Sequence, residues 1–598
     1  MRKMLRVESW PPVRRGRSAG VSQGVGVSVL STAFLLAAGF ALLAPGPAAA
    51  RGCYVDAATG SDTNPGTAAQ PFRTVSAGVA CARAGDTVWI ATGVYREMVS
   101  LNRGGSDAAH PLTLRARPGA QVSIRGSDLV TGWQHHAGDV YRRDAWPVNS
   151  QQVFVDGQPL RQIGRGSPFH DRVYDGRPIL PAVGQGRADM QPGTFWYSRA
   201  DSVLYVWLTE GSDPGRHVVE VSVRNWIVPP WVGRSVNHVV IRDLHFAHSN
   251  QTCQGQAMGL VCVWGYGWRL TNCTFAYGDF NGVRIMGGGH RITDCVFKYN
   301  GAVGINITGS DAAHGWRTWA DRPPQKIVLE GNDTSHNNYR GFDRAWNAGG
   351  IKAIPSCTDV SVLGHRAVGN NGPGIWFDGL CRQIRIDGCR VEGNQGSGIF
   401  FEISDGAAIA NNLVVDNAQI GIYVAASDSA WVVNNTVVGN WTGIALHGMP
   451  RDEHPTLAHN RVTNNIIAEN TWADLVLYVD PERAADNTAD HNLYYRADGT
   501  VRISTTADRR FPVTHTRLDQ LAVQTGQERN SLFADPLWAD RPGGDYSLRR
   551  GSPAIDAGVS GLPQSGDKDI RGMSRALGGN GDLRRHVDLG AFEYSDVR

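Results

Sequence analysis

Gly374-Ile-Trp-Phe-Asp378, Gly398-Ile-Phe-Phe-Glu402, Gly421-Ile-Tyr-Val-Ala425 and Gly443-Ile-Ala-Leu-His447 are one pattern written four times, with glycines 24, 23 and 22 residues apart. Upstream the pattern continues as Gly350-Ile-Lys-Ala-Ile354, Gly304-Ile-Asn-Ile-Thr308 and Gly282-Val-Arg-Ile-Met286. The 46-residue step from Gly304 to Gly350 reads as one coil enlarged by an insertion at about 311–349, or as two irregular coils. Four residues before the glycine stands Asn300, Asn370, Asn394 or Asn417, with Asn440 one place out of step. A second marker follows a short strand in each unit: Cys273, Cys295, Asn332, Cys389, Asn412, Asn435 and Asn465.

Short strands of this kind cannot bury an inner face alone, but stacking one unit on the next does so. It also places the inward Asn side chains in hydrogen-bonded ladders, where Cys fits as a small apolar substitute. The geometry that satisfies both is an all-β, right-handed parallel β-helix with ~4.8 Å between coils. No L-x-x-L-x-L pattern supports a leucine-rich repeat, and ~22 residues cannot supply the four strands of a propeller blade. The 72 Gly residues follow no G-X-Y period, and 41% hydrophobic content with 18 Trp rules out a largely disordered chain.

On these repeats the chain resembles the secreted pectate-lyase-like β-helix proteins. Tyr54-Val-Asp-Ala-Ala-Thr-Gly-Ser-Asp62, Asn64-Pro-Gly-Thr67 and Gly85-Asp-Thr-Val-Trp-Ile90 are similar to an N-terminal cap and first coil. Ser552-Pro-Ala-Ile-Asp-Ala-Gly558, Asp569-Ile-Arg-Gly572 and Asp588-Leu-Gly-Ala-Phe-Glu593 are similar to a closing segment of exported proteins. Between about Val130 and Arg224 the period is lost and strand-like runs such as Leu204-Tyr-Val-Trp-Leu208 appear. The resemblance links such an insertion to β-helix glycosidases. The expected organisation is a signal peptide (1–50), N-terminal cap and first coils (51–129), an inserted β-rich domain (130–224), the β-helix body (225–490), and C-terminal coils with a closing segment (491–598).

The register carries the chemistry. Side chains alternate along a strand, and the first and third residues after each repeat glycine are apolar, so the second and fourth face outward. The second-step column is Arg284, Asn306, Lys352, Trp376, Phe400 and Tyr423; the fourth-step column includes Asp378, Glu402 and His447. Trp376, Phe400 and Tyr423 form a candidate platform for sugar rings, with Arg284 and Asn306 as hydroxyl or carboxylate binders. Asp378 and Glu402, one coil apart at the same step, fall ~4.8 Å apart at their α-carbons. Carboxyls ~5–5.5 Å apart suit a retaining glycosidase, one as nucleophile and one as acid/base. A charge pair on a solvated face, or a calcium site, would produce the same residues.

Gly374-Ile-Trp-Phe-Asp378 with Phe401-Glu402 is similar to the Asp and Glu motifs of β-helix β-xylosidases. That resemblance implies Asp378 as nucleophile and Glu402 as acid/base, with no cofactor. The enzyme alternative is a polysaccharide lyase in which Ca²⁺ neutralises a uronate and Lys352 removes the C5 proton. The non-enzyme alternative is a glycan-binding surface β-helix. Asp343, Arg344, Trp346, His336 and Trp316 of the enlarged coil can complete a subsite. Asp556, Asp569, Asp588 and Glu593 read as turn holders of the closing segment, or as an ion site.

The first fifty residues hold six Lys/Arg and one acid, an apolar run from about Val27 to Leu43, and Ala48-Ala49-Ala50. That order reads as a secretory signal peptide, with Arg14-Arg15 matching the Arg pair of a twin-arginine signal and a membrane anchor as the alternative. Its removal leaves 52 basic against 54 acidic residues. No basic stripe remains to argue for nucleic acid. The expected product is therefore a monomer in the periplasm or medium, without a stable membrane span, whose partner is a carbohydrate polymer or oligomer. All nine Cys lie beyond residue 50, where export permits disulfides; Cys53–Cys81 and Cys253–Cys262 are plausible pairs, and the odd count leaves a free thiol.

Overall fold

The computed structural model describes residues 50–230, 235–251, 259–309, 324–448, 457–478, 485–506, 512–575 and 586–595. The expected signal peptide, Cys253 and Trp316 lie outside them. The body is an all-β right-handed parallel β-helix of about 15 turns, with 4% helix. From Val239 to Thr506 each coil contributes one strand to each of three walls, in the order first, second, third, whereas the coils before the inserted segment supply only the first two. Thr358–Leu363, Arg366–Val368 and Ile375–Asp378 form one coil; Arg382–Asp387, Arg390–Glu392 and Ile399–Glu402 form the next. Among the described residues the first and second walls have 13 strands each and the third has 11.

The interval between Gly304 and Gly350 is a single enlarged coil. It supplies one strand to each wall, Ile327–Glu330, Asp333–Ser335 and Gly349–Ala353, and its described extra length, 336–348, lies at the corner between the second and third walls.

The interior explains why the repeat is written as it is. At the corner between the second and third walls an amide ladder runs Asn300, Asn337, Asn370, Asn394, Asn417, Asn440, Asn470, each Nδ2 donating to the next Oδ1 at 2.9–3.2 Å. Asn440 therefore keeps its rung although it stands one residue nearer its glycine. The residue before each rung takes the left-handed conformation, as at Gly369 (φ 63°), Gly393 (63°) and Gly439 (71°), which turns the chain in one step. The repeat glycine answers the ladder: a Cβ on Gly398 would lie 2.7 Å from the Gly421 carbonyl oxygen and 2.9 Å from Asn417 Nδ2. Between the first and second walls the other ladder runs through Cys389, Asn412, Asn435, Asn465 and Asn492. His365 fills its rung between Asn332 and Cys389; buried, and pulled down to about 3 by desolvation, it is neutral and hydrogen-bonds the Thr334 hydroxyl at 2.8 Å.

Glu528 closes this second ladder. It is buried, accepts from Asn492 Nδ2 at 3.1 Å and from the Tyr494 hydroxyl at 2.6 Å, and is pushed up to about 7 by burial. Between its ordinary value near 4.5 and about 7, the unfolded chain releases the proton while the folded chain retains it. Stability therefore falls as pH rises through that window, by about 3 kcal/mol. Glu593, pushed up to about 8, acts with the same sign in the closing segment. Melting temperature is expected to drop from pH 5 to pH 8, and Glu528→Gln to raise it at pH 8 and flatten the slope. An unchanged slope in the variant would contradict this account.

The segment that breaks the period forms two larger sheets, one antiparallel and one mixed, and a two-stranded ribbon, Val173–Tyr174 with Arg177–Pro178. One has four strands, Gln158–Pro159, Val153–Val155, Val219–Ser222 and Ser127–Leu129; the other has five, among them Thr194–Ser198 and Val203–Trp207. Their shared core is built on Val153, Phe195, Leu204, Val206 and Val219. Buried Glu220 ties the sheets to the first coils through Arg96 and Arg125, both at 2.5 Å. A separate apolar cluster joins Phe169, Ile179 and Leu180 of this segment to Phe280, Phe342 and Trp346 of the helix. The Cys53 and Cys81 sulfurs stand 2.8 Å apart, and Cys262 is buried. No helix among the described residues is long and apolar enough to cross a membrane.

Candidate active site

The third wall stacks Arg284, Asn306, Lys352, Trp376, Phe400 and Tyr423 in unbroken register, continued by Ala445 and Val476. Asp378 pairs with Glu402 in the same wall, so the two acids are one rung apart, as the spacing predicts. Asp378 keeps 14% of its side chain exposed, whereas Glu402 is buried.

Lys352 organises this spot. Its side chain is only 3% exposed, and its Nζ lies 3.2 Å from Asp378 Oδ2. The same ammonium donates to the Trp346 carbonyl oxygen at 2.7 Å and sits 3.1 Å from the Trp376 ring centroid. Burial pulls Lys352 below the usual lysine range, and the charges of Asp378 and Glu402 oppose that pull. An ammonium with two oxygen partners and an aromatic face is held on all three N–H directions. The Trp346 carbonyl is in place because the Trp346 side chain packs on Phe169, Phe280 and Phe342, so the inserted segment helps to fix the lysine.

The aromatic column is arranged differently from an open platform. Trp376 and Phe400 stack at 5.2 Å and 15°, and Phe400 and Tyr423 at 4.7 Å and 8°. The rings turn their faces to one another, and the remaining face of Trp376 meets the Lys352 ammonium. Trp376 is 3% exposed; Phe400 and Tyr423 are partly exposed and present edges outward. The Tyr423 hydroxyl lies 3.1 Å from His447 Nδ1.

The other expected residues divide. Arg284 donates to Asn306 Oδ1, Asn306 to Asn347 Oδ1 at 3.3 Å, and Asn347 to Asn281 Oδ1 at 3.2 Å. Burial pulls Arg284 down to about 10. Arg344 is exposed and reaches along the coil corner to Asn371 Oδ1 at 2.8 Å. Asp343 faces the inserted segment instead, with Arg177 Nε 3.5 Å from its Oδ2 and its own backbone N–H donating to Ile179. His336 stacks on Tyr299 at the corner after the second wall, away from the acid pair's column. Asp569 accepts from the backbone of Arg571, Met573 and Glu593, and Asp588 from that of Asp556, so these acids hold turns. Sequence reasoning missed the Trp346 carbonyl, which no side-chain pattern reveals. It also missed an exposed pair, Trp441 and Trp472, one position before the wall-three strands.

A family model for a right-handed β-helix region matches residues 259–437, and a model for a protein family of unknown function (DUF1565) matches residues 58–101. No curated protein matches the chain in sequence. Among solved structures, that of XylC with xylose is similar at TM-score 0.62 and 15% identity, over 90% of this chain and 98% of that one. A glycoside hydrolase (TM-score 0.43, 13% identity, 75% and 94% covered) and the pectate lyase Pel9A (0.40, 12%, 92% and 98%) are more distant. At these identities the likeness is one of fold.

Proposed function

We propose that the protein is an exported carbohydrate-active enzyme, a retaining glycoside hydrolase acting through Asp378 and Glu402. The observation that carries this reading is the pairing of two carboxyls on adjacent coils, one of them held against a buried ammonium. The Lys352 charge gives Asp378 a fixed counter-ion, which suits the residue that attacks as an anion. Asp378 forms the bond to the anomeric carbon while Glu402 gives its proton to the departing oxygen; Glu402 then takes a proton from the water that releases the sugar. The fold likeness to XylC, solved with xylose, makes β-xylosides the first substrates to try.

The same contacts weigh against the lyase alternative. A base at Lys352 needs a free lone pair directed at substrate, and its ammonium already faces Asp378, Trp346 and Trp376. Calcium needs six to eight oxygen ligands. Among the described residues no group of three His, Cys, Asp or Glu side chains is placed to hold a metal ion, so a calcium ion at Asp378 and Glu402 would draw its remaining oxygens from backbone, water and substrate.

The deciding experiment follows the anomeric configuration of the first-formed product by NMR across a panel of aryl and oligomeric glycosides. Retention supports the reading; inversion, or an unsaturated uronate product, refutes it. Lys352→Met is expected to lower kcat about 100-fold with little change in KM, because the lost charge matters most as Asp378 becomes a nucleophile. A change in KM alone would mean that Lys352 only shapes the binding surface.

A further inference from the structure

Trp441 and Trp472 are the most exposed tryptophans described here among large apolar residues, at 46% and 45%. They occupy equivalent positions on successive coils, because Thr442 pairs with Ala473 in the third wall. Their rings stack at 4.9 Å and 9°, and the Trp472 backbone N–H donates to the Trp441 carbonyl at 2.7 Å. Stacking and backbone pairing hold Trp441 from behind. The opposite face of Trp441 looks toward the preceding coil, where the register position is Gln419, beside Ala418, both exposed. Among the described residues no aromatic ring stacks on that side.

The wall next to the pair is apolar: Ala445, Ala473 and Val476 cluster with Ile420 and Tyr423. Tyr423 is the end of the aromatic column that starts above Lys352, so this surface is continuous with the candidate site. Glu402, Ala425 and His447 lie on consecutive coils, which places Trp441 two coils, ~9.6 Å, beyond Glu402 along the axis and, six residues before His447, ~20 Å from it across the wall. Two half-exposed tryptophans contribute little to the core, and contiguous exposed apolar surface marks an interaction site.

We propose that the open face of Trp441, backed by Trp472, is a sugar-stacking subsite, and that the substrate is therefore an extended glycan chain running across the third wall between the acid pair and this corner, and not a single glycoside. The occupant is a pyranose ring: it offers an apolar C–H face to the indole and hydroxyls to solvent and Gln419. This extends the hydrolase reading, on which it rests for the direction of the chain.

The test is native affinity electrophoresis of the full chain in gels containing soluble xylan, polygalacturonate or alginate. The Asp378→Asn variant is used to prevent turnover. Retardation by at least one polymer is expected, with an apparent Kd about tenfold weaker when Trp441→Ala is added, equivalent to ~1.4 kcal/mol of lost stacking. Gln419→Trp, which extends the stack over the open face, is expected to abolish retardation. Melting temperatures of both are expected to match the parent, since neither position is in the core. Absence of retardation by all three polymers overturns the proposal, as does equal retardation of parent, Trp441→Ala and Gln419→Trp. Should Asp378→Asn retain full turnover, the catalytic reading falls while the subsite stands on its binding data alone.

Discussion

Asp378→Asn is expected to lower kcat by about 10⁴-fold or more, the order that follows loss of a covalent nucleophile. Glu402→Gln is expected to lower it by about 10²–10⁴, and less for aryl glycosides whose leaving group needs little protonation. Azide separates the roles. With Glu402→Ala it should replace water at the deglycosylation step and give a glycosyl azide of retained configuration. With Asp378→Ala it should attack directly and give the inverted azide. Asp378→Asn also removes the counter-charge of a buried ammonium, and breaking a buried pair costs about 3–5 kcal/mol. Activity must therefore be read together with melting temperature. The double variant Lys352→Met/Asp378→Asn should regain stability and remain inactive; recovery of activity there would mean that the single variant was merely unfolding.

The second large effect is structural. Asn394 Nδ2 donates to Asn417 Oδ1 and to the Ala367 carbonyl, both at 2.9 Å, and its Oδ1 accepts from the Asn370 backbone N–H at 3.0 Å and Nδ2 at 2.9 Å. Asn394→Leu leaves these groups buried without partners. At about 1–3 kcal/mol per stranded group, the expected loss is about 3–5 kcal/mol, measured by denaturant unfolding. Gln395→Ala, one residue on and exposed, is the control and should change stability little. A loss below about 1 kcal/mol in Asn394→Leu would show that the ladder is not a principal support of the helix.

The register was legible in the sequence because stacking imposes it: once Gly374 and Gly398 are aligned, the pairing of Asp378 with Glu402 follows. Asn337 was not legible as a ladder rung. The enlarged coil separates it from Gly350 by 13 residues where the other coils use three or four. Nor was the burial of Lys352 and Trp376. Outward in the wall does not mean open to water, and the cover comes from Trp346, Phe280 and Phe169, the last of them nearly two hundred residues away. Trp441 and Trp472 escaped notice for a simpler reason. They stand at the corner, outside the two columns that strand alternation singles out.

The constant rise from coil to coil makes the third wall a ruler graduated in ~4.8 Å steps. Loops of unequal length leave that scale untouched, since the 46-residue coil advances the helix by the same rung as its neighbours. Gain or loss of one whole unit between Glu402 and Trp441 would shift the distant grip by one graduation. The slant of a bound chain across the wall is then changed by copying a repeat, with the reacting groups left where they are.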